Sequence, residues 1–132
     1  MSTLVRKQLK DELEAQLLAQ FQVESLDDHY LVITPLLYPD NSHVCLYVGE
    51  LGEDRLTIAD DGEAAAYAFA LGVSEADIED RVRKARHRFR LMSSNDDELR
   101  LEIARGQPAE AIFALATAVQ DVAYLVYKHR DY

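Results

Sequence analysis

The stretch YLVITPLLYPDNSHVCLYVGELGEDRLTIA, residues 30–59, decides the fold. It contains three runs rich in apolar and β-branched residues, 30–37, 43–50 and 55–59, and such runs are typical of strands. The turn-forming stretches PDNS (39–42) and GED (52–54) separate the runs. Because links this short join neighbouring strands in opposite directions, the stretch predicts antiparallel hairpins at the centre of the protein.

The flanking sequence adds strands and helices to these hairpins. Further strands are predicted at 21–26 and 98–104, and helices at 3–19, 60–71, 74–91 and 108–129. Because most strands follow one another in a run, we predict an α+β fold. Its mainly antiparallel sheet would have about four to five strands, packed by N-terminal, central and C-terminal helices. The helix at 60–71 is apolar all round, so we expect it to be covered on most sides.

Length and composition are those of one globular domain spanning residues 1–132. Apolar residues make up 48% of the chain and charged residues 29%. No stretch approaches the roughly 18 to 20 apolar residues that a membrane span needs, and the N-terminus has no signal-peptide core. We therefore expect a cytoplasmic protein with no membrane contact. The single cysteine, Cys45, is interpreted as a small hydrophobe in a strand.

The net charge of −10 bears on possible partners. It argues against binding of a phosphate backbone by the whole surface, since like charges repel. It is compatible with a basic protein partner and equally with plain solubility.

A family resemblance rests on three short segments. Residues 56–63, LTIADDGE, lead into an alanine-rich helix that ends in LGV at 71–73. With the ITP step at 33–35 and the spacing from Ala111 to Asp121, this resembles the bacterial and phage family called domain of unknown function 1828, over about residues 20–125. Ala59 stands where that family's pattern leads us to expect a threonine. The resemblance implies the strand-to-helix layout and a bacterial or phage origin, and it implies no reaction.

Three carboxylates, Asp60, Asp61 and Glu63, surround Gly62 at the predicted start of a helix. Oxygen ligands of this kind bind hard cations such as Mg²⁺, which would suit a metal-dependent hydrolase or nuclease. The same residues also suit helix capping, with an aspartate at the N-cap accepting a backbone N–H group and Glu63 reaching back from the third helical position. The sequence leaves both interpretations open.

The helix at 74–91 carries six of the chain's 14 basic residues. Helical spacing places four predicted binding residues opposite its apolar stripe: Arg83, Lys84, His87 and Arg90. This segment, Arg81–Arg90, is the candidate for contact with nucleic acid or an acidic partner. Alternatively, its charges stabilise the helix itself through the i,i+4 pairs Glu79–Arg83 and Asp80–Lys84.

No catalytic set of residues is assembled by any motif, so the sequence favours a role without catalysis and without a cofactor. Our leading hypothesis is a small acidic binding or regulatory protein of bacterial or phage origin that acts through a protein partner, as an inhibitor or immunity protein does. The metal-dependent hydrolase and the nucleic-acid-binding module are the alternatives. Tyr124, Tyr127 and Tyr132 near the C-terminus are candidate interface residues. Partner, pathway and oligomeric state stay open.

Overall fold

The computed structural model describes residues 3–94, 96–106 and 108–130. Helix α1 (Thr3–Leu18) precedes strands β1 (Gln22–Ser25), β2 (Tyr30–Leu37), β3 (His43–Leu51) and β4 (Arg55–Ala59). Helices α2 (Glu63–Ala70) and α3 (Glu75–Phe89) follow, and then come strand β5 (Arg100–Ala104) and helices α4 (Pro108–Ala123) and α5 (Leu125–Arg130).

The five strands form one sheet in sequence order, and every neighbouring pair is antiparallel. The predicted α+β class with a mainly antiparallel sheet is therefore confirmed. Alternation decides which face is buried: Val44, Leu46 and Val48 of β3 point into the core. Leu56 and Ile58 of β4 are buried on the same face.

Helix α4 covers this buried face and lies against β2, β3, β4 and β5. Leu115, Val119 and Val122 on its inner side are fully buried. By length and composition alone, the segment Pro108–Lys128 would pass for a membrane span, so the expectation that no stretch of the chain does so is wrong. Half of that apolar window is buried inside the domain, and packing against the sheet accounts for its composition.

Helices α2 and α3 pack against each other and against α4. Ile78, Val82 and Ala85 of α3 are buried, as the predicted stripe requires. The expectation that α2 is covered on most sides is wrong. Only Ala64, Ala65 and Ala68 are buried in α2, and the ring of Phe69 is 58% exposed.

Helix α1 forms as predicted, but its described side chains do not pack on the domain. All side chains from residue 8 to residue 17 are exposed, including Leu9, Leu13 and Leu17. The core of the domain is therefore built without the leucines in this part of the N-terminal helix.

Candidate functional site

The turn between β4 and α2 is built around Asp60, which is fully buried. Asp61 and Gly62 both adopt left-handed backbone conformations, with φ of 59° and 72°. Oδ1 of Asp60 accepts the amide of Gly62 at 2.9 Å, and Oδ2 accepts the amide of Ala64 at 3.0 Å. Asp60 therefore accepts an amide of the first turn of α2, as the capping interpretation expects, but Gly62 occupies the N-cap, so the prediction of an aspartate at that position is wrong.

Asp60 also joins two distant parts of the chain. Its Oδ1 accepts the amide of Leu99, just before β5, at 2.9 Å, and its own amide donates to the carbonyl oxygen of Leu99 at 3.0 Å. Burial raises the pKa of Asp60 above its ordinary value, and the three amide donors oppose that rise. The carboxylate thus ties the end of β4 to the start of β5.

Glu63 does not reach back to complete a capping box, so that part of the capping interpretation is wrong. Instead, the hydroxyl of Tyr47 on β3 donates to Oε1 of Glu63 at 2.9 Å. Burial raises the pKa of Glu63, and the Tyr47 hydroxyl partly offsets the rise. This contact fixes the first residue of α2 against the sheet.

A metal site at Asp60, Asp61 and Glu63 stays a prediction. Within residues 3–94, 96–106 and 108–130, no group of three or more His, Cys, Asp and Glu side chains is placed to hold a metal ion. Both oxygens of Asp60 are engaged by backbone amides, whereas Asp61 is exposed to solvent. Asp60 would have to release amides of the turn in order to bind a cation.

An acidic cleft lies between α2, α3 and the loop that leads to β5. Its apolar part is formed by Ala65, Ala66, Ile78 and the exposed ring of Phe69. Six carboxylates line it: Asp61, Glu75, Glu79, Asp96, Asp97 and Glu98. Its volume is about 470 Å³, and it opens to solvent.

The carboxylates of the acidic cleft form no direct ion pairs with described residues, although Arg86 lies near Asp96 and Arg100 lies near Glu98. Among the residues that the structure describes, none of the six forms an ion pair. Glu79 was expected to pair with Arg83, but Arg83 pairs with Asp80 instead. Glu79 is thereby left facing the cleft, so the expected Glu79–Arg83 pair is wrong.

Arg86 holds the loop that supplies half of these carboxylates. Its guanidinium donates to the carbonyl oxygens of Ser94 at 3.3 Å, Asp96 at 2.5 Å and Glu98 at 2.9 Å. A guanidinium presents several donors in a rigid fork, which allows it to bind the three carbonyl oxygens of this loop together. Arg86 therefore has a structural task within the arginine-rich helix.

The four predicted binding residues on α3, Arg83, Lys84, His87 and Arg90, are all exposed, as their spacing indicates. Asp80 engages two of them, since Lys84 Nζ lies 2.9 Å from an Asp80 oxygen and Arg83 pairs with the other oxygen. The predicted Asp80–Lys84 pair is thus confirmed. In the described part of the chain, neither His87 nor Arg90 has an acidic partner.

Arg88 joins this exposed group at the end of α3. Together with Arg83, Arg86, His87 and Arg90 it lines an open depression, which also includes Ser93 and Ser94. The Arg88 guanidinium lies 5.3 Å from the centre of the Phe89 ring. We call this surface the basic depression.

One protein-family model matches most of the chain. Residues 34–122 match the family described as Domain of unknown function DUF1828. The chain belongs to the DUF1828 family. The match contains α2, α3 and β5, and therefore the acidic cleft and the basic depression, whereas α1 lies outside it. No curated protein and no solved structure matches the chain.

The tyrosines near the C-terminus of this DUF1828 domain have intramolecular contacts. The hydroxyl of Tyr124 donates to the carbonyl oxygen of Leu37 at 3.3 Å, and that of Tyr127 donates to Pro39 at 3.3 Å. They connect the last helices to the β2–β3 turn. Tyr132 lies outside the described residues, and an interface role for the three stays a prediction.

The acidic cleft was not found by reading the sequence. Its carboxylates come from three segments that are separate along the chain, and only Asp61 belongs to a group that the sequence had indicated as a candidate site. The one local signal was Phe69, a large aromatic residue among alanines. Because the helix is apolar all round, Phe69 had been expected to be buried.

Proposed function

We propose that this DUF1828 domain is a cytoplasmic binding protein of bacterial or phage origin that acts on a basic protein partner, as an inhibitor or immunity protein does. One observation carries the proposal: an exposed aromatic ring, Phe69, lies among six carboxylates that form no ion pair in the described part of the chain. An aromatic anchor surrounded by a polar rim fits a protein-binding surface.

The two parts of the acidic cleft have different physical tasks. Burying the Phe69 ring under a partner removes apolar area from water and favours a long-lived complex. The carboxylates attract lysine and arginine side chains during approach, which speeds association and disfavours acidic partners. A segment that alternates basic and apolar side chains fits both tasks.

The proposal is tested with a short synthetic peptide that alternates arginine with leucine, titrated into the labelled domain and followed by amide NMR shifts. We expect shifts concentrated on α2, at the start of α3 and before β5. Exposed ion pairs contribute about 0.2–1 kcal/mol each. Glu75→Lys with Glu79→Lys, which turns two attractions into repulsions, should therefore weaken binding about tenfold.

A matched control separates the site from net charge. Glu53 and Asp54 are exposed in the β3–β4 turn, so Glu53→Lys with Asp54→Lys changes the charge equally but away from the cleft. The control should bind the peptide nearly as wild type does. Equal weakening by both variants, or no effect of Phe69→Ala, would contradict a site at the cleft. Pull-downs from the host with the same variants would then identify the natural partner.

A second candidate function, nucleic-acid binding, is favoured by the basic depression. His87, Arg88 and Arg90 have no acidic partner in the part of the chain that the structure describes, and they lie at one end of α3. If they contact phosphates, Arg88→Glu with Arg90→Glu should abolish retention of DNA or RNA by the domain, and wild-type affinity should fall steeply with salt. Unchanged retention would exclude this function.

A further inference from the structure

Helix α1 is a feature that neither the acidic cleft nor the sheet explains. It has 16 residues, and every described side chain on it, from 8 to 17, is exposed. Leu9, Leu13 and Leu17 are 48%, 51% and 67% exposed, and their spacing of four places them on one side of the helix. An isolated helix of this length is marginal in water, so a helix with a bare leucine stripe is expected to be covered.

The sequence of α1 has an internal symmetry that indicates what covers it. The apolar positions that helical spacing places on the side of this leucine stripe are symmetric about Asp11: Leu9 mirrors Leu13, and Val5 mirrors Leu17. When two identical helices pair antiparallel about a two-fold axis at that level, each of these positions meets its mirror position in the other helix.

The charges of α1 are divided between its two halves. The basic residues, Arg6, Lys7 and Lys10, all precede Asp11 in the helix, and the acidic residues are Asp11, Glu12 and Glu14. An antiparallel pair would set the basic half of each helix beside the acidic half of the other. A parallel pair would set like charges side by side, which is unfavourable.

We propose that α1 is covered by the α1 of a second copy of this chain, in an antiparallel pair with Leu9 of one copy against Leu13 of the other. Each helix is only about 24 Å long, at 1.5 Å per residue. The pair therefore falls at the low end of the area that specific interfaces bury, and we expect a dissociation constant on the order of 10 µM.

The experiment is sedimentation velocity on the full chain over a range of concentrations around that value. We expect reversible dimerisation in the wild type and at least a tenfold rise in the dissociation constant for Leu9→Ser with Leu13→Ser. The control is Leu51→Ser with Leu71→Ser, which changes two exposed leucines elsewhere and should leave dimerisation unchanged. Far-UV circular dichroism would verify that the domain stays folded in both variants.

Oxidative crosslinking on a Cys45→Ser background tests the direction of the pair. A mixture of Leu9→Cys and Leu13→Cys chains should form mixed disulfide dimers. Leu17→Cys alone should not crosslink, because an antiparallel pair places the two Leu17 positions about 18 Å apart along the helix axis.

Three results would overturn the proposal. The first is a wild type that stays monomeric at concentrations well above the expected constant, as it would if α1 docked on its own domain or only on another protein. The second is a dimer that persists unchanged in Leu9→Ser with Leu13→Ser. The third is efficient crosslinking of Leu17→Cys with itself, which would indicate a parallel pair.

Discussion

Replacing Asp60 by asparagine tests whether this buried carboxylate is a structural clamp. An asparagine Oδ1 can still accept the amides of Gly62 and Leu99, but its NH₂ group takes the place of Oδ2. The amide of Ala64 then loses its acceptor, and two buried donors face each other. The shape of the side chain is almost unchanged, so packing contributes little to the effect.

The magnitude follows from the contacts. A hydrogen bond to a charged group contributes about 1.5–3 kcal/mol, and an unsatisfied buried donor costs about 1–3 kcal/mol. Burial, which raises the pKa of Asp60, opposes the charged form and offsets part of this. We expect Asp60→Asn to lower the free energy of unfolding by about 2–3 kcal/mol at pH 7, a melting temperature shift on the order of 10 °C.

The assay is urea unfolding followed by far-UV circular dichroism, with Asp61→Asn as the matched control. Asp61 is exposed and left-handed, a conformation that asparagine tolerates, so this neighbouring change should stay within about 0.5 kcal/mol of wild type. Equal stability of Asp60→Asn and Asp61→Asn would refute the clamp. If Mg²⁺ raised the melting temperature of the wild type but not of Asp61→Asn, the carboxylates would be metal ligands instead.

Two further predictions concern the surroundings of the acidic cleft. Arg86→Met should lower the free energy of unfolding by about 2 kcal/mol and speed hydrogen exchange at the Asp96 and Glu98 amides, because three carbonyls lose their charged donor; Arg83→Met should leave both unchanged. The second prediction concerns Glu63, whose pKa in the folded state is raised above its ordinary value of 4.5. Just above that pH, the native state therefore binds more protons than the unfolded state. Because of this difference, the contribution of Glu63 to stability falls as pH rises. The stability of Glu63→Gln relative to wild type, measured by urea unfolding from pH 4 upward, should therefore rise with pH; a constant difference would contradict the shift.

Several features of the fold were predictable because their causes are local. The period of two in β3 placed Val44, Leu46 and Val48 on one face, whatever the rest of the chain did. Likewise, Ser74 caps α3 by accepting the amide of Asp77, a contact that spans three residues. The order of strands β1 to β4 followed from the short turns between them, whereas β5 is separated from β4 by two helices.

The site was less predictable, because its contacts join residues far apart in the chain. The capping role of Asp60 could be read from its neighbours, but its bond to Leu99 crosses 39 residues. Arg86 belongs to the segment Arg81–Arg90 that was predicted to contact nucleic acid or an acidic partner, yet it holds the loop before β5. Choosing between Asp80 and Glu79 as the partner of Arg83 required the actual side-chain positions.

By itself, the sequence determined the strands, the antiparallel order of β1 to β4 and the buried stripe of α3, since periodicity, capping and turn chemistry act within a few residues. It also determined the helices, except that the single helix predicted at 108–129 is divided into α4 and α5. Only the tertiary structure decided that Phe69 is exposed among unpaired carboxylates and that the described leucines of α1 are bare. The physical reason is that exposure depends on which element covers which. The sequence around an apolar residue shows the same hydrophobic pattern whether its own domain buries that residue or a partner does.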